Sequence, residues 1–111
     1  MNAAVSSFEK VLEIDSLNRE ANYNIGVIYY NSAVNKILSL DYDALNFEEF
    51  SAFEDNIIKL FNKSLPYMKR AYQLNPHDSG TLEGLSGIYF GLRDFDTSNK
   101  YKKELNQEVK N

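Results

Sequence analysis

The segment from Ser64 to Tyr89 constrains the fold most, because it joins two helical patterns across one strong stop signal. Its first half places apolar residues at helical spacing up to Asn75-Pro76, where the missing N–H and the ring of proline disfavour further helix. Asp78 is a favourable N-cap residue, and the apolar spacing resumes directly behind it. The segment therefore predicts a helix that ends near Asn75, a tight turn, and a second helix.

Helical spacing covers most of the chain and predicts about five helices. The patterns occupy roughly residues 2–15, 19–40, 46–75, 79–91 and 94–110. Asn18 and Asn46 are the expected N-caps of the second and third helices. Pro66 lies inside the third pattern, whose phase continues across it, so a kink is expected there rather than a break. Only two Pro and five Gly occur in 111 residues, which favours an all-α fold.

Two short patterns and one apolar position recur along the chain at fixed offsets. Ile25-Gly26-x2-Tyr29 recurs as Leu85-Ser86-x2-Tyr89, an offset of 60 residues (85 − 25). Val11-x4-Ser16 recurs as Ala71-x4-Pro76 at the same offset, and Ala71 corresponds to Leu105 at an offset of 34 (105 − 71). The larger offset equals the smaller one plus 26 residues (60 − 34). This arithmetic predicts a helix-turn-helix repeat of 34 residues that is interrupted once.

These spacings resemble the tetratricopeptide repeat (TPR) family, whose pattern is W-x2-L-G-x2-Y followed by A-x3-F-x2-A-x4-P. The matching positions are Ala4, Phe8, Val11 and Ser16, then Ile25, Gly26, Tyr29, Ser64, Met68, Ala71 and Pro76, then Leu85, Ser86, Tyr89, Ser98 and Leu105. Asn22 and Leu82 replace the family Trp, and Lys102 stands where a large apolar residue is usual. The runs YNIGVIYYNSAV and LPYMKRAYQLNP are further similar to TPR proteins of Bacteroidetes-type bacteria.

The resemblance implies one TPR-like domain over residues 1–111, a helical-hairpin solenoid with an elongated middle helix pair. Residues 2–16 correspond to the second helix of a truncated repeat, residues 18–76 to an interrupted repeat with an insertion near 34–58, and residues 78–110 to the last repeat. Because the first repeat lacks its first helix, we expect Met1 to begin inside a longer protein. The compartment is left open, since the resemblance allows bacterial cytoplasm or periplasm.

The 26 extra residues fall between the two helices of the middle repeat. Divided evenly, they lengthen each helix by ~13 residues, or ~20 Å at 1.5 Å per residue. We therefore expect a long antiparallel hairpin formed by about residues 19–40 and 46–75. The alternative is an unstructured loop, which the apolar density of residues 45–61 disfavours because disordered inserts are polar.

Composition excludes several functional classes. The chain has no Cys, so it forms no disulfide and no thiolate metal site. Its net charge of -4, without a basic block, makes nucleic-acid binding unexpected. No apolar run reaches the ~18 residues of a membrane-spanning helix. We expect a protein or peptide partner, with neither nucleic acid nor membrane insertion.

The titratable residues predict no catalytic site, no cofactor and no metal site. His77 is the only His and is expected to be a solvated turn residue without an orienting partner. Asp41, Asp43, Glu48 and Glu49 lie together in the sequence, but their spacing does not fit a calcium-binding EF-hand loop. Helix capping accounts for them better, and we expect a protein that is not an enzyme.

The TPR resemblance implies a concave groove lined by the first helix of each repeat. The candidate groove residues are Tyr23, Val27, Tyr30, Asn31, Glu83 and Phe90, with Gly87 between the last two. Tyr23 and Tyr30 fit either the groove or ordinary packing. The set is aromatic and has no Lys or Arg, which favours an extended or helical peptide held by stacking and backbone hydrogen bonds.

A second aromatic set, Phe47, Phe50 and Phe53, spreads too widely around a helix to be covered by one partner helix. Self-association as a homodimer and burial within the chain are both open for this set. The expected function is a scaffold or adaptor that binds a partner segment on the concave face or through the hairpin. The alternatives are a structural oligomerisation module and a helical appendage of an enzyme.

Overall fold

The computed structural model describes residues 3–110, which form five α-helices and contain no strand. The helices are α1 (Ala3–Ile14), α2 (Arg19–Leu38), α3 (Phe47–Leu74), α4 (Ser79–Gly91) and α5 (Phe95–Lys110), with a short 3-10 turn at Tyr42–Ala44 between α2 and α3. Met1, Asn2 and Asn111 lie outside the described residues. The prediction of an all-α fold is confirmed.

Side-chain caps set the starts of three helices where the sequence predicts them. Asn18, Asn46 and Asp78 each accept a hydrogen bond from the backbone N–H three residues later, at 2.8, 2.8 and 3.0 Å respectively. These bonds satisfy amide groups that the first turn of a helix leaves without a partner. The helix α3 ends at Leu74, directly before Asn75-Pro76, as predicted.

The two long helices α2 and α3 form the antiparallel hairpin that the interrupted repeat predicts. They contain 20 and 28 residues, and α3 runs through Pro66 without a break. Most of residues 34–58 is helical, so the alternative of an unstructured insertion is wrong. The hairpin packs along its length, while α4 and α5 form a second pair beside it and α1 packs on α2.

The core lies where α2, α3 and α4 meet. The side chain of Met68, on α3, lies between α2 and α4 at Gly26 and Gly84, where neither helix has a side chain. Its Cγ lies 2.8 Å from where a Cβ of Gly26 would stand, and its Cε lies 2.7 Å from the equivalent point at Gly84. Two glycines therefore admit one large apolar residue at the centre of the fold. Other fully buried residues are Ile25, Ala33, Ala71, Leu82, Leu85 and Ile88.

The two corners between helix pairs have the same backbone hydrogen bond. Asp15 N–H donates to the carbonyl oxygen of Val11 at 2.8 Å, and Asn75 N–H donates to that of Ala71 at 2.9 Å. Each pair of equivalent residues is separated by 60 positions (75 − 15 and 71 − 11). The corner between α1 and α2 thus has the same local structure as the corner between α3 and α4.

A tyrosine stack also occurs twice. The rings of Tyr29 and Tyr67 stack between α2 and α3 with centroids 6.4 Å apart, and those of Tyr89 and Tyr101 stack between α4 and α5 at 5.8 Å. The α2 and α4 tyrosines are 60 positions apart (89 − 29), and their partners are 34 apart (101 − 67). The offsets found in the sequence therefore correspond to repeated contacts between helices.

Candidate functional site

The helices α2 and α4 line a groove that contains the predicted binding residues. Tyr23, Val27, Tyr30 and Asn31 from α2 and Glu83 from α4 line one shallow depression together. Phe90 lines a second depression, and Tyr30 borders both, so the two depressions adjoin at Tyr30. The structure thus brings all six predicted groove residues onto one face, in two neighbouring depressions.

The floor of the groove is a row of glycines on α4. Gly80, Gly84, Gly87 and Gly91 lie on one face of this helix because their spacing follows its turns. Each costs about 1 kcal/mol of helix propensity relative to Ala, so the helix depends on tertiary packing. Every one of these glycines has a large side chain from α2 or α3 against it, in order Tyr23, Met68, Tyr30 and Phe61.

Tyr23 and Tyr30 both pack against the fold and border the groove. The hydroxyl of Tyr23 lies 2.6 Å from the point where a Cβ of Gly80 would stand, and the ring of Tyr30 covers Gly87 in the same way. Both side chains stay partly exposed. Burial, followed by the charge of nearby carboxylates such as Glu83, raises the pKa of both phenols. Each of these tyrosines therefore both lines the groove and packs within the fold.

Phe90 is the most exposed aromatic residue of the groove, with 56% of its surface accessible. Its ring meets that of Phe95 edge to face at a centroid distance of 5.3 Å. The ammonium group of Lys102 lies 5.3 Å from the Phe90 ring centroid, within cation–π range. An aromatic face with a cation beside it is suited to bind a ligand that is apolar and carries negative charge.

Two basic residues border the groove, and neither was among the groove residues that the sequence predicted. Arg93 and Lys102 line the same depression as Phe90, so basic side chains border the groove although the candidate set itself contains none. Arg93 follows α4 with a φ of 63°, a left-handed conformation, and its guanidinium donates to Glu54 at 2.9 Å. The signal for Lys102 was its departure from the family pattern, whereas Arg93 stands where glycine is the usual residue.

A third depression lies at the far end of the hairpin. Its volume is about 180 Å³, and its walls are Ile37, Tyr42, Phe50, Phe53, Glu54, Ile57, Ile58, Gly91 and Arg93. Phe53 packs on the core, and the ring of Phe50 lies 6.0 Å from that of Tyr42. Phe47 is 85% exposed. Packing within the chain thus accounts for Phe50 and Phe53 but leaves Phe47 in solvent.

Two of the titratable residues weighed as candidate sites, His77 and Asp41, have structural partners. Nδ1 of His77 lies 2.7 Å from Oε1 of Glu108, so the expectation of a histidine without an orienting partner is wrong. Asp41 accepts a hydrogen bond from the Asp43 N–H at 3.2 Å and caps the 3-10 turn, as the capping interpretation predicts. Across residues 3–110, no three acidic or histidine side chains converge in a way that would hold a metal ion.

None of the helices within residues 3–110 combines the length and the hydrophobicity that crossing a lipid bilayer requires. Comparison with protein-family models, with curated proteins and with solved structures gave no match for this chain.

Proposed function

We propose that this chain is a TPR-like protein-interaction scaffold and that the groove between α2 and α4 holds a segment of a partner protein. The observation that carries the proposal is the pair of depressions that adjoin at Tyr30, with Tyr23 lining one and Phe90 lining the other. Repeated corners and tyrosine stacks support a repeat architecture. Stacked repeats leave one curved face free, which is the physical reason that such folds bind partners.

The groove has the length of a short peptide. From Gly80 to Gly91, α4 extends ~16 Å at 1.5 Å per residue, a distance that about five extended residues span. Aromatic rings supply large rigid contact areas at low entropic cost, and the exposed amide of Asn31 supplies a hydrogen-bonding group. Glu83 lies at one end, and Arg93 and Lys102 lie at the other. A ligand with an apolar centre and an acidic residue near Phe90 matches this distribution of charge.

The test is selection of ligands from a random peptide library, followed by affinity measurements with groove variants. Phe90→Ser and Asn31→Arg change exposed groove residues and leave the core intact. Ile14→Ser is the matched control, because Ile14 is 91% exposed and lies on α1 outside the groove. We expect both groove variants to weaken binding at least tenfold and the control to retain it.

Mapping of backbone amide shifts by NMR locates the bound peptide independently. The proposal expects the largest changes along α2 and α4, with few on α1. Selected peptides that bind the groove variants as tightly as the unmodified protein, or that perturb amides elsewhere, would exclude the groove.

A further inference from the structure

The far end of the hairpin has an apolar surface that the groove does not explain. We define the hairpin tip as residues 37–58. Its cleft is lined by the aromatic and aliphatic side chains of Tyr42, Phe50 and Ile58, among others. Around the same tip, Leu38 is 78% exposed and Phe47 is 85% exposed. Exposed large apolar side chains grouped at one end of a protein mark an interaction surface.

The charge of the tip is strongly one-sided. It contains six carboxylates, Asp41, Asp43, Glu48, Glu49, Glu54 and Asp55, and no Lys or Arg. The whole chain has a net charge of -4, so the remaining residues sum to +2 (−4 − (−6)). Lys36 and Lys59 border the tip directly, so residues 36–59 carry a net charge of -4 (−6 + 2), equal to that of the entire chain.

Internal contacts do not neutralise this charge. Within residues 3–110, Glu54 is the one tip carboxylate that forms an ion pair, with Arg93 at 2.9 Å. Asp43, Glu48, Glu49 and Asp55 are exposed, and the described acidic residues form no group able to hold a metal ion. The tip thus presents an apolar cleft and exposed apolar side chains among solvated carboxylates.

We propose that the hairpin tip docks a cationic amphipathic segment of a partner protein, with its apolar side chains in the cleft and its Lys or Arg residues against the tip carboxylates. Electrostatic complementarity selects such a partner and speeds its encounter. A second copy docked tip to tip would bring twelve carboxylates together (6 + 6), so the charge disfavours a symmetric dimer through this surface. The tip cleft adjoins the Phe90 end of the groove, because Ile37, Gly91 and Arg93 line both. The residues changed in its test do not line the groove, so the test does not depend on that groove.

The experiment uses two labelled peptides of about 15 residues, or ~four helical turns, with leucines at identical amphipathic positions. One peptide carries Lys at its polar positions and the other carries Glu. Fluorescence anisotropy gives their dissociation constants for the unmodified protein and for Glu48→Lys/Glu49→Lys, in which both exposed tip charges are reversed. The matched control is Glu13→Lys/Glu20→Lys, which makes the same change of net charge at exposed positions away from the tip.

We expect the Lys peptide to bind the unmodified protein and the control with equal affinity, and to bind the tip variant at least tenfold more weakly. Glu48 and Glu49 lie in the first turn of α3, so circular dichroism first verifies that this helix is retained. Tyr42→Ser, which removes a 56% exposed ring from the cleft, tests the apolar contribution without changing charge and is expected to weaken binding at least threefold.

Three results overturn the proposal. Equal loss of affinity in the tip variant and in the control would show that net charge alone attracts the peptide. If the unmodified protein bound the Glu peptide as tightly as the Lys peptide, charge complementarity would be excluded as the basis of recognition. Sedimentation that shows a dimer of the unmodified chain, dissociated by Phe47→Glu, would identify a second copy as the occupant of the tip.

Discussion

The side-chain hydroxyl of Ser64 donates a hydrogen bond of 2.6 Å to the carbonyl oxygen of Gly26, in the buried contact between α3 and α2. Ser98 on α5 makes the corresponding bond of 2.8 Å to the carbonyl oxygen of Ser86 on α4. The donors are 34 positions apart (98 − 64) and the acceptors 60 (86 − 26). A small hydroxyl residue lets each pair of helices approach closely and ties them at equivalent points.

Substitution of Ser64 by Ala should lower the free energy of unfolding by about 1 kcal/mol, because one buried hydrogen bond is lost while the volume changes little. Ser51→Ala in the same helix is the control, since Ser51 is exposed and should change stability by less than about 0.5 kcal/mol. Urea unfolding of both variants measures the difference. Equal stability of the two variants would show that the Ser64 bond contributes nothing.

Gly87→Ala should destabilise the protein although alanine favours helix over glycine by about 1 kcal/mol. A Cβ at this position would lie 2.8 Å from Cε2 and Cζ of the Tyr30 ring, and overpacking of this kind typically costs 1–3 kcal/mol. The double variant Gly87→Ala/Tyr30→Leu should lose less stability than the sum of its parts, because the shorter side chain leaves room for the methyl group. If chemical denaturation showed that the double variant loses as much stability as the two single variants combined, the contact between position 87 and the Tyr30 ring would be contradicted.

Stability should fall in alkaline solution through Tyr72. Its hydroxyl donates a 2.6 Å hydrogen bond to Oε1 of Glu104, and this bond, with burial and the charge of Glu104, raises the pKa of Tyr72 to about 12. The folded state holds the phenolic proton more tightly than the unfolded state, whose pKa is near 10.0. The contribution of the Tyr72 phenol to the free energy of unfolding is therefore complete below pH ~10 and is lost as the pH rises through about 12.

Between pH ~10 and about 12, the free energy of unfolding should fall less steeply with pH in Tyr72→Phe than in the unmodified protein, because phenylalanine has no phenolic proton to titrate. Glu104→Gln keeps a hydrogen-bond acceptor but removes the negative charge, so the pKa of Tyr72 should return toward its ordinary value. Absorbance titration of tyrosinate follows that change directly. An unchanged titration in Glu104→Gln would exclude Glu104 as the cause.

Arg93 should be replaceable by Gly more readily than by Ala. Its φ of 63° is left-handed, a conformation that glycine adopts without the steric cost of a Cβ. Both substitutions remove the ion pair with Glu54, which is exposed and contributes little. We expect Arg93→Gly to be more stable than Arg93→Ala by about 1 kcal/mol in chemical denaturation. The reverse order would mean that this conformation carries no strain.

The phenylalanines of α3 should separate into structural and surface residues. Phe61 is 2% exposed and covers Gly91. Phe61→Ala should therefore lower the free energy of unfolding by about 3–5 kcal/mol, the range typical of truncating a buried aromatic side chain to alanine. Phe47→Ala should change stability by less than about 0.5 kcal/mol, because this ring is 85% exposed. Thermal unfolding measures both, and a large cost at Phe47 would show that its ring packs within the fold.

The helices themselves could be predicted from the sequence because their signals are local. Asn18, Asn46 and Asp78 cap helices through a bond to the third residue onward, a contact that depends on no other part of the chain. The predicted composition of the groove was less complete. Lys102 and Arg93 reach the groove from α5 and from the turn after α4, and no local pattern reports how those elements sit beside Phe90.

By itself, the sequence determined the all-α class and the approximate helix boundaries, because capping, proline and helical periodicity act between residues a few positions apart. The long hairpin was predicted from the difference between the two repeat offsets, which relates distant parts of the chain. Only the tertiary structure decided that Tyr30 covers Gly87, that two cations border the aromatic groove, and that Phe47 stays in solvent while Phe53 packs on the core. Those outcomes depend on the distance and angle between helices, which arise from packing of side chains that are far apart in the chain.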